Sequence, residues 1–342
     1  MFLGADAYAS RFPGALAITS MELIRGLHNL KPEHRGCVAT IGNFDGVHLG
    51  HQAIIGQLAE QGDRMRLPTT VIIFEPQPLE YFQSADKVPP RLMRLREKLQ
   101  ALRRYSVDRV LCLDFNARLA AMPPDEFIRR ILVEGLGVKY LVVGDDFRFG
   151  AKRAGDFALL RRAGEQHGFH VTPMHTFLID DERVSSTRVR SALATGDLAA
   201  AEKLLGRLYW MCGRVAHGDK RGRTIGVPTA NVHLHRVATP LKGVFVVEVF
   251  GLHDEPVAGV ANIGTRPTVD GTRTLLEIHL FEFSREIYGH YININFLHKL
   301  RDERRFSSFE ELKTWIQRDI DDARQWLAVR ERHGLDRAAS QS

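Results

Sequence analysis

Gly42-Asn43-Phe44-Asp45-Gly46-Val47-His48-Leu49-Gly50-His51 follows directly on the apolar run Cys37–Ile41 and opens a helical pattern. Its placement sets the fold class of the first half of the chain. Glycines let the backbone turn sharply there and come close to a ligand. A helix opening at such a turn offers free N–H groups and a positive dipole end, which suit phosphate. His48 and His51 are three residues apart, so on a first helical turn both imidazoles face one side. Two imidazole donors aimed at a polyphosphate stabilise charge that develops at phosphorus. The competing reading is that both are ordinary surface residues in a chain with 15 histidines.

Around this stretch, short apolar runs alternate with amphipathic ones. Cys37–Ile41, Thr69–Phe74, Arg109–Leu113, Tyr140–Val143 and Phe169–Pro173 are expected strands. Leu92, Leu95, Leu99 and Leu102 recur at helical spacing behind Pro89-Pro90, which predicts a helix starting there. Strand–helix alternation implies an α/β domain, a parallel sheet with helices on both faces. Ligands bind such sheets at the carboxyl ends of the strands, where the order reverses.

The pattern changes near residue 185. Helical segments are expected at Thr187–Leu193 and Leu198–Leu205, and from Tyr209 the chain reads as all-β. Expected strands are Tyr209–Ala216, Val227–Val232, Gly243–Phe250, Glu255–Ala261, Thr274–Phe281 and Tyr291–Leu300, dense enough with glycine-rich turns between them for a small closed antiparallel barrel. Ser308 and Glu311 have capping-box spacing, and Phe309, Leu312, Ile316, Ile320, Ala323 and Leu327 form the apolar stripe of a terminal helix. The expected division is residues 1–185, a helical linker over 186–206, a barrel with its helix over 207–334, and a tail over 335–342.

A length of 342 residues suits two domains. With 44% hydrophobic and 26% charged residues the chain is no disordered protein. The formal charge of +6 suits phosphate ligands and nucleic acid alike. However, there is no basic stripe interleaved with aromatics of the kind that binds single strands. Cys37, Cys112 and Cys212 are isolated, which argues against disulfides or a zinc site and fits a reducing compartment. No apolar run approaches the ~18 residues that a membrane span needs, and the N-terminus lacks the signal-peptide pattern. A cytoplasmic protein without membrane or nucleic-acid partners is expected; assembly into larger particles is left open.

The segment from Gly42 to His51 resembles the HxGH signature of the nucleotidyltransferase superfamily. In this form it is similar to the adenylyltransferase module of bacterial bifunctional FAD synthetases. Ser185-Ser186-Thr187-Arg188-Val189-Arg190 is similar to that module's SSTxIR element, whose hydroxyls and forked Arg190 would bind triphosphate. By residue type alone, Ser185–Thr187 is equally a helix N-cap. Val143-Gly144-Asp145-Asp146-Phe147-Arg148-Phe149-Gly150 resembles VGxDFRFG, which implies that Asp146 lies near the nucleotide and Phe147 near the flavin; a plain turn is the alternative. Two departures stand out: Asp145 where Glu is common, and Gln77, in Phe74-Glu75-Pro76-Gln77-Pro78, where a histidine often stands. An amide at Gln77 can still donate a hydrogen bond.

In the second half, Gly218-Asp219-Lys220-Arg221-Gly222-Arg223-Thr224-Ile225-Gly226 is a basic glycine-rich loop. It could wrap phosphates with Gly218, Lys220, Gly222 and Arg223, or be a solvated turn. Val227-Pro228-Thr229-Ala230-Asn231 follows and resembles the PTAN motif of riboflavin kinases. On a strand Thr229 and Asn231 share a face, and their oxygens are hard ligands suited to Mg²⁺. Thr274–Phe281 resembles LLExHLF, which implies that Glu277 is the general base for riboflavin's 5′-hydroxyl; a solvated strand Glu is the alternative. His279 on the same face reads as structural. Gly259–Thr268 resembles GxxNIGxxPT, which implies that Asn262 and Arg266 lie near the flavin.

These resemblances run in order from about Ile18 to Leu327. They imply riboflavin phosphorylation to FMN, then adenylylation of FMN to FAD with release of pyrophosphate. ATP, Mg²⁺ and flavins are the small molecules involved. They imply His48 and His51 as catalytic residues and Gly42, Asn43, Phe44, Asp45 and Gly46 as nucleotide-binding. Two other readings remain: one live activity, the kinase, beside a scaffold domain, or a non-catalytic flavin- or RNA-binding regulator.

Overall fold

The computed structural model describes residues 21–174, 176–216, 228–236, 238–268 and 271–334, with backbone only at 265–268 and 271–273. The chain divides into two compact units, Met1–Val88 with Lys98–Val184, and Pro89–Glu97 with Ser185–Ser342. Gly218, Lys220, Gly222, Arg223 and the side chain of Arg266 lie outside the described residues.

The first unit is built on a six-stranded sheet of β1 (Glu22–Arg25), β2 (Cys37–Ile41), β3 (Thr69–Glu75), β4 (Arg109–Asp114), β5 (Val138–Gly144) and β6 (His170–Met174) in the order β1-β4-β3-β2-β5-β6. Every neighbouring pair is parallel. All five residues of β2 are buried, as a strand covered on both faces requires. From β2 the chain winds outward to β3 and β4, then returns to place β5 on the other side of β2. The order therefore reverses between β2 and β5, which is where such a sheet opens a crevice.

Helices α1 (Leu49–Met65), α2 (Pro78–Phe82), α3 (Leu95–Leu102), α4 (Ala117–Ala120), α5 (Pro124–Phe127) and α6 (Phe157–His167) follow in chain order. A core including Ile41, Phe74, Leu113, Leu132, Leu141 and Phe149 lies in this first unit. A short hairpin of β7 (Leu178–Ile179) and β8 (Glu182–Arg183) completes it.

The second unit holds α7 (Ser186–Thr195), α8 (Leu198–Leu205) and a closed antiparallel barrel. The barrel strands are β9 (Trp210–Ala216), β10 (Ala230–His233), β11 (Gly243–Phe250), β12 (Val257–Thr268), β13 (Gly271–Leu280) and β14 (Tyr291–Arg301), in the order β10-β13-β12-β11-β14-β9. Phe245 and Phe296 are fully buried and meet edge to face, with centroids 5.6 Å apart. Helix α9 (Phe309–Arg332) packs Ala323 against Val244, Val246, Val260 and Leu297.

The structure corrects several expectations. Leu92 is buried, yet the helix begins only at Leu95. Residues 91–94 are not helical and belong with the barrel unit, where backbone carbonyls of Arg91 and Leu92 are already taken by barrel-unit side chains. Phe309 was placed on the apolar stripe of α9 but is 52% exposed. Ser308 caps α9 through the Glu311 N–H, whereas the Glu311 carboxylate reaches Ser307 N, one residue upstream of a regular capping box.

Candidate functional site

In the first unit, Gly42 to His48 forms the loop between β2 and α1, and Asp145 to Gly150 the loop after β5. Both therefore leave the carboxyl ends of the two strands that flank the reversal. Phe44 and Val47 adopt positive φ, 47° and 41°, beside Gly46 at 86°. Left-handed geometry at a β-branched residue costs on the order of 1–3 kcal/mol and persists where surroundings enforce it, as at ligand sites. Phe44, Asp45, Val47 and His48 are buried, while Gly42 and Asn43 are half-buried.

His48 does not ride the first helical turn as expected; it is the N-cap of α1, and its Nδ1 accepts from the His51 N–H at 3.4 Å. An accepting Nδ1 leaves Nε2 as the protonated donor of the neutral ring. The two imidazoles stack, with centroids 3.7 Å apart and planes 17° from parallel, and Phe44 leans on His51 at 4.9 Å. A methyl on Gly50 would stand 3.3 Å from the His48 ring, close enough to push the ring aside slightly, and 3.5 Å from the Val184 carbonyl, an ordinary contact.

Asp146 is paired with Arg183 of β8 at 2.7 Å. That hydrogen bond holds its carboxyl below the usual carboxylate range. Phe147 lies parallel to Phe149 at 5.6 Å. Ser185 Oγ accepts from Arg188 N at 3.3 Å and caps α7, with Ser186 and Thr187 in its first turn. Arg190 Nε donates to Pro90 O at 2.8 Å. The cap reading is thus realised, and these residues fall in the second unit.

The sequence shows neither an aromatic cluster in the first unit nor the burial of Gln77. Tyr81, Phe82 and Phe115 form an edge-to-face cluster with centroids 5.2–5.7 Å apart. Phe82 is 65% exposed. Phe115 N donates to Glu75 O, which sets the cluster at the carboxyl ends of β3 and β4, on the sheet's ligand edge. Their dispersal over 35 residues hid them; the adjacent Tyr81-Phe82 pair was the local signal. Gln77 is buried and its Nε2 has no hydrogen-bond partner among the described residues.

In the second unit, Asn231 lies directly across from Glu277 in the β10–β13 pairing, and Asn262 faces the same Glu277 in the β12–β13 pairing. Leu276 and Ile278 are buried, so Glu277 and its two asparagine neighbours share the barrel's outer face and are half-buried. Thr229 is exposed just ahead of β10. His279 is structural, its Nδ1 within 2.9 Å of the Pro228 carbonyl, which ties down the stretch entering β10. By donor chemistry, the hydroxyl of Thr229 and the amide oxygen of Asn231 are hard ligands of the kind that fits Mg²⁺.

A switch-point α/β sheet and a closed antiparallel barrel, each with its own polar cluster, define a two-part α/β and β-barrel protein, and its relatives place it among the enzymes of flavin metabolism. The FAD synthetase family model matches residues 30–188, and the riboflavin kinase family model matches residues 205–327. The bifunctional riboflavin kinase/FMN adenylyltransferase of Escherichia coli (strain K12) is 54% identical over 310 residues, covering 90% of this chain and 99% of that protein. The Haemophilus influenzae enzyme of the same name is 49% identical, covering 89% and 98%. This chain belongs to the bifunctional riboflavin kinase/FMN adenylyltransferase family.

A solved structure described as a macrolide-efflux protein from Streptococcus pneumoniae is similar at a TM-score of 0.76 and 28% identity, covering 90% of this chain and all of that one. Its description is of the pneumococcal protein; among the described residues here, no helix is long and apolar enough to cross a membrane.

Proposed function

We propose that this chain makes FMN and then FAD, with the two polar clusters as separate reaction sites. Residues 1–185 carry the adenylyltransferase, 207–334 the kinase, and 186–206 link them. Riboflavin, FMN and ATP are its partners rather than nucleic acid. Three separate buried thiols suit a reducing cytoplasm.

In the kinase, Glu277 accepts the proton of riboflavin's 5′-hydroxyl as that oxygen attacks the γ-phosphorus of ATP and ADP leaves. Thr229 and Asn231 would hold Mg²⁺, which would supply positive charge to the ATP phosphates. Asn262 and Arg266 border the flavin, and Gly218, Lys220, Gly222 and Arg223 wrap the phosphates. The observation carrying this assignment is the direct opposition of Asn231 and Glu277.

In the adenylyltransferase, an FMN phosphate oxygen attacks the α-phosphorus of ATP and pyrophosphate leaves. The stacked His48 and His51 donate to the phosphates as charge builds, and the 42–46 turn cradles them. Asp146, Ser185, Ser186, Thr187 and Arg190 bind nucleotide, and Phe147 binds flavin. The exposed Tyr81 and Phe82, backed by the half-buried Phe115, give an isoalloxazine ring a surface to stack on.

Incubating the protein with riboflavin, ATP and Mg²⁺ and separating the flavins tests the reading. FMN followed by FAD is expected; FMN alone would leave a lone kinase, and neither product a binder.

A further inference from the structure

Glu97 is fully buried, and its side chain meets three partners. Oε1 accepts from Cys212 N of β9 at 2.9 Å, and Oε2 accepts from Arg94 N at 2.6 Å and pairs with Arg236. The Arg236 side chain is only 2% exposed and also donates to Arg91 O at 2.6 Å. Tyr209 Oη donates to Leu92 O at 3.0 Å. Pro89–Glu97 is thus part of the barrel unit, although the residues on both sides of it in sequence belong to the first unit.

What this clamp holds is the shortest barrel strand. Among the described residues, β10 is joined to β13 through Ala230–Ile278, Asn231–Glu277 and Val232–Leu276, and to β9 through Asn231–Ala216, Val232–Val215 and His233–Arg214. Val232 is the one buried side chain of β10, so little of the strand's own apolar pattern fixes its register. Arg236, three residues beyond its end, is the anchor, and Glu97 grips both Arg236 and the partner strand β9. A buried ion pair is seldom retained for stability, since apolar residues of similar volume often do as well. Fixing a register is the use it serves best.

We infer that Glu97, through Arg236, is a positioning residue for riboflavin phosphorylation, holding β10 so that Asn231 faces Glu277. Support for the kinase cluster then comes in part from a segment encoded in the N-terminal half. This inference rests on the assignment of Asn231 to Mg²⁺.

The test compares full-length Glu97→Gln, the apolar double variant Glu97→Met/Arg236→Met, and Asn231→Ala. Three quantities are read: the Mg²⁺ concentration for half-maximal FMN formation, the KM for riboflavin, and hydrogen exchange of the β10 amides. Both clamp variants should raise the Mg²⁺ requirement roughly tenfold, as loss of outer support does at metal sites. They should leave the riboflavin KM within about twofold and speed exchange in β10 but not in β11. A double variant with wild-type Mg²⁺ dependence and β10 protection would overturn the inference. So would a Glu97→Gln protein whose kcat falls with unchanged half-saturation and whose exchange rises throughout. If Asn231→Ala leaves the Mg²⁺ requirement unchanged, the metal assignment fails instead, and β10 exchange alone judges the clamp.

Discussion

Asn231 and Glu277 stand opposite each other in the β10–β13 pairing, an amide and a carboxylate on neighbouring strands of the barrel's outer face. Cross-strand partners of this kind have Cβ atoms roughly 5 Å apart. One ligand can therefore touch both side chains. Neither residue alone is unusual; the register makes the pair.

Glu277→Gln keeps the shape of the strand and removes the proton acceptor. FMN formation is expected to fall by roughly 10²–10⁴-fold, the usual worth of a general base. FAD formation from supplied FMN should be unchanged, measured by separating products from each substrate. Equal loss of both steps would count against independent sites.

His48 has a second job as the N-cap of α1. His48→Ala removes both roles and should cost about 1 kcal/mol of stability as well as activity. His48→Asn restores a capping oxygen without an imidazole. It should match wild-type thermal stability while FAD formation drops by roughly 10²-fold or more, the scale seen when a preorganised charge-stabilising donor is lost. Kinetics and melting curves on the two variants separate the roles.

Phe82 is mostly exposed, so Phe82→Ser should leave the melting temperature within a degree or two while weakening FMN binding. A lost aromatic contact of about 1 kcal/mol corresponds to a roughly fivefold rise in the KM for FMN. An unchanged KM would remove the aromatic cluster from the flavin site.

Gln77 carries a buried donor that no described residue accepts. Leaving such a group unpaired costs about 1–3 kcal/mol, so Gln77→Met should stabilise the protein by about 1 kcal/mol. If the amide serves a substrate at the carboxyl end of β3, the same change should slow FAD formation. Denaturant titration and turnover on one preparation give both answers.

Burial pushes the Cys37 thiol up to about 11, and burial together with the nearby Glu97 charge pushes Cys212 up to about 12. Unfolded thiols ionise near 9.0. Above that pH the unfolded chain releases protons that the folded chain keeps, so this contribution to stability is whole below about pH 9. It declines as pH rises through 11 and 12. Melting temperatures between pH 8 and 11 should therefore fall, and less steeply in Cys212→Ala.

Much of the architecture was readable before any coordinates. Cys37–Ile41, Gly243–Phe250 and Leu198–Leu205 have the expected bounds, because unbroken β-branched runs and glycine stops are local signals. β1 was missed: Glu-Leu-Ile-Arg at a sheet edge buries only Ile24 and shows no periodicity. Leu92 misled for the opposite reason. Its spacing to Leu95 and Leu99 is helical, but its burial comes from contacts within the barrel unit.

The order of motifs, the residue types at each and the alternation of strand and helix all reside in the chain itself, since propensity, periodicity and turn chemistry act over a few residues. Which side chains meet does not. The facing of Asn231 and Glu277 and the capture of Pro89–Glu97 by the barrel unit both depend on register and burial. Those are settled by packing between segments up to 145 residues apart, where no local preference reaches.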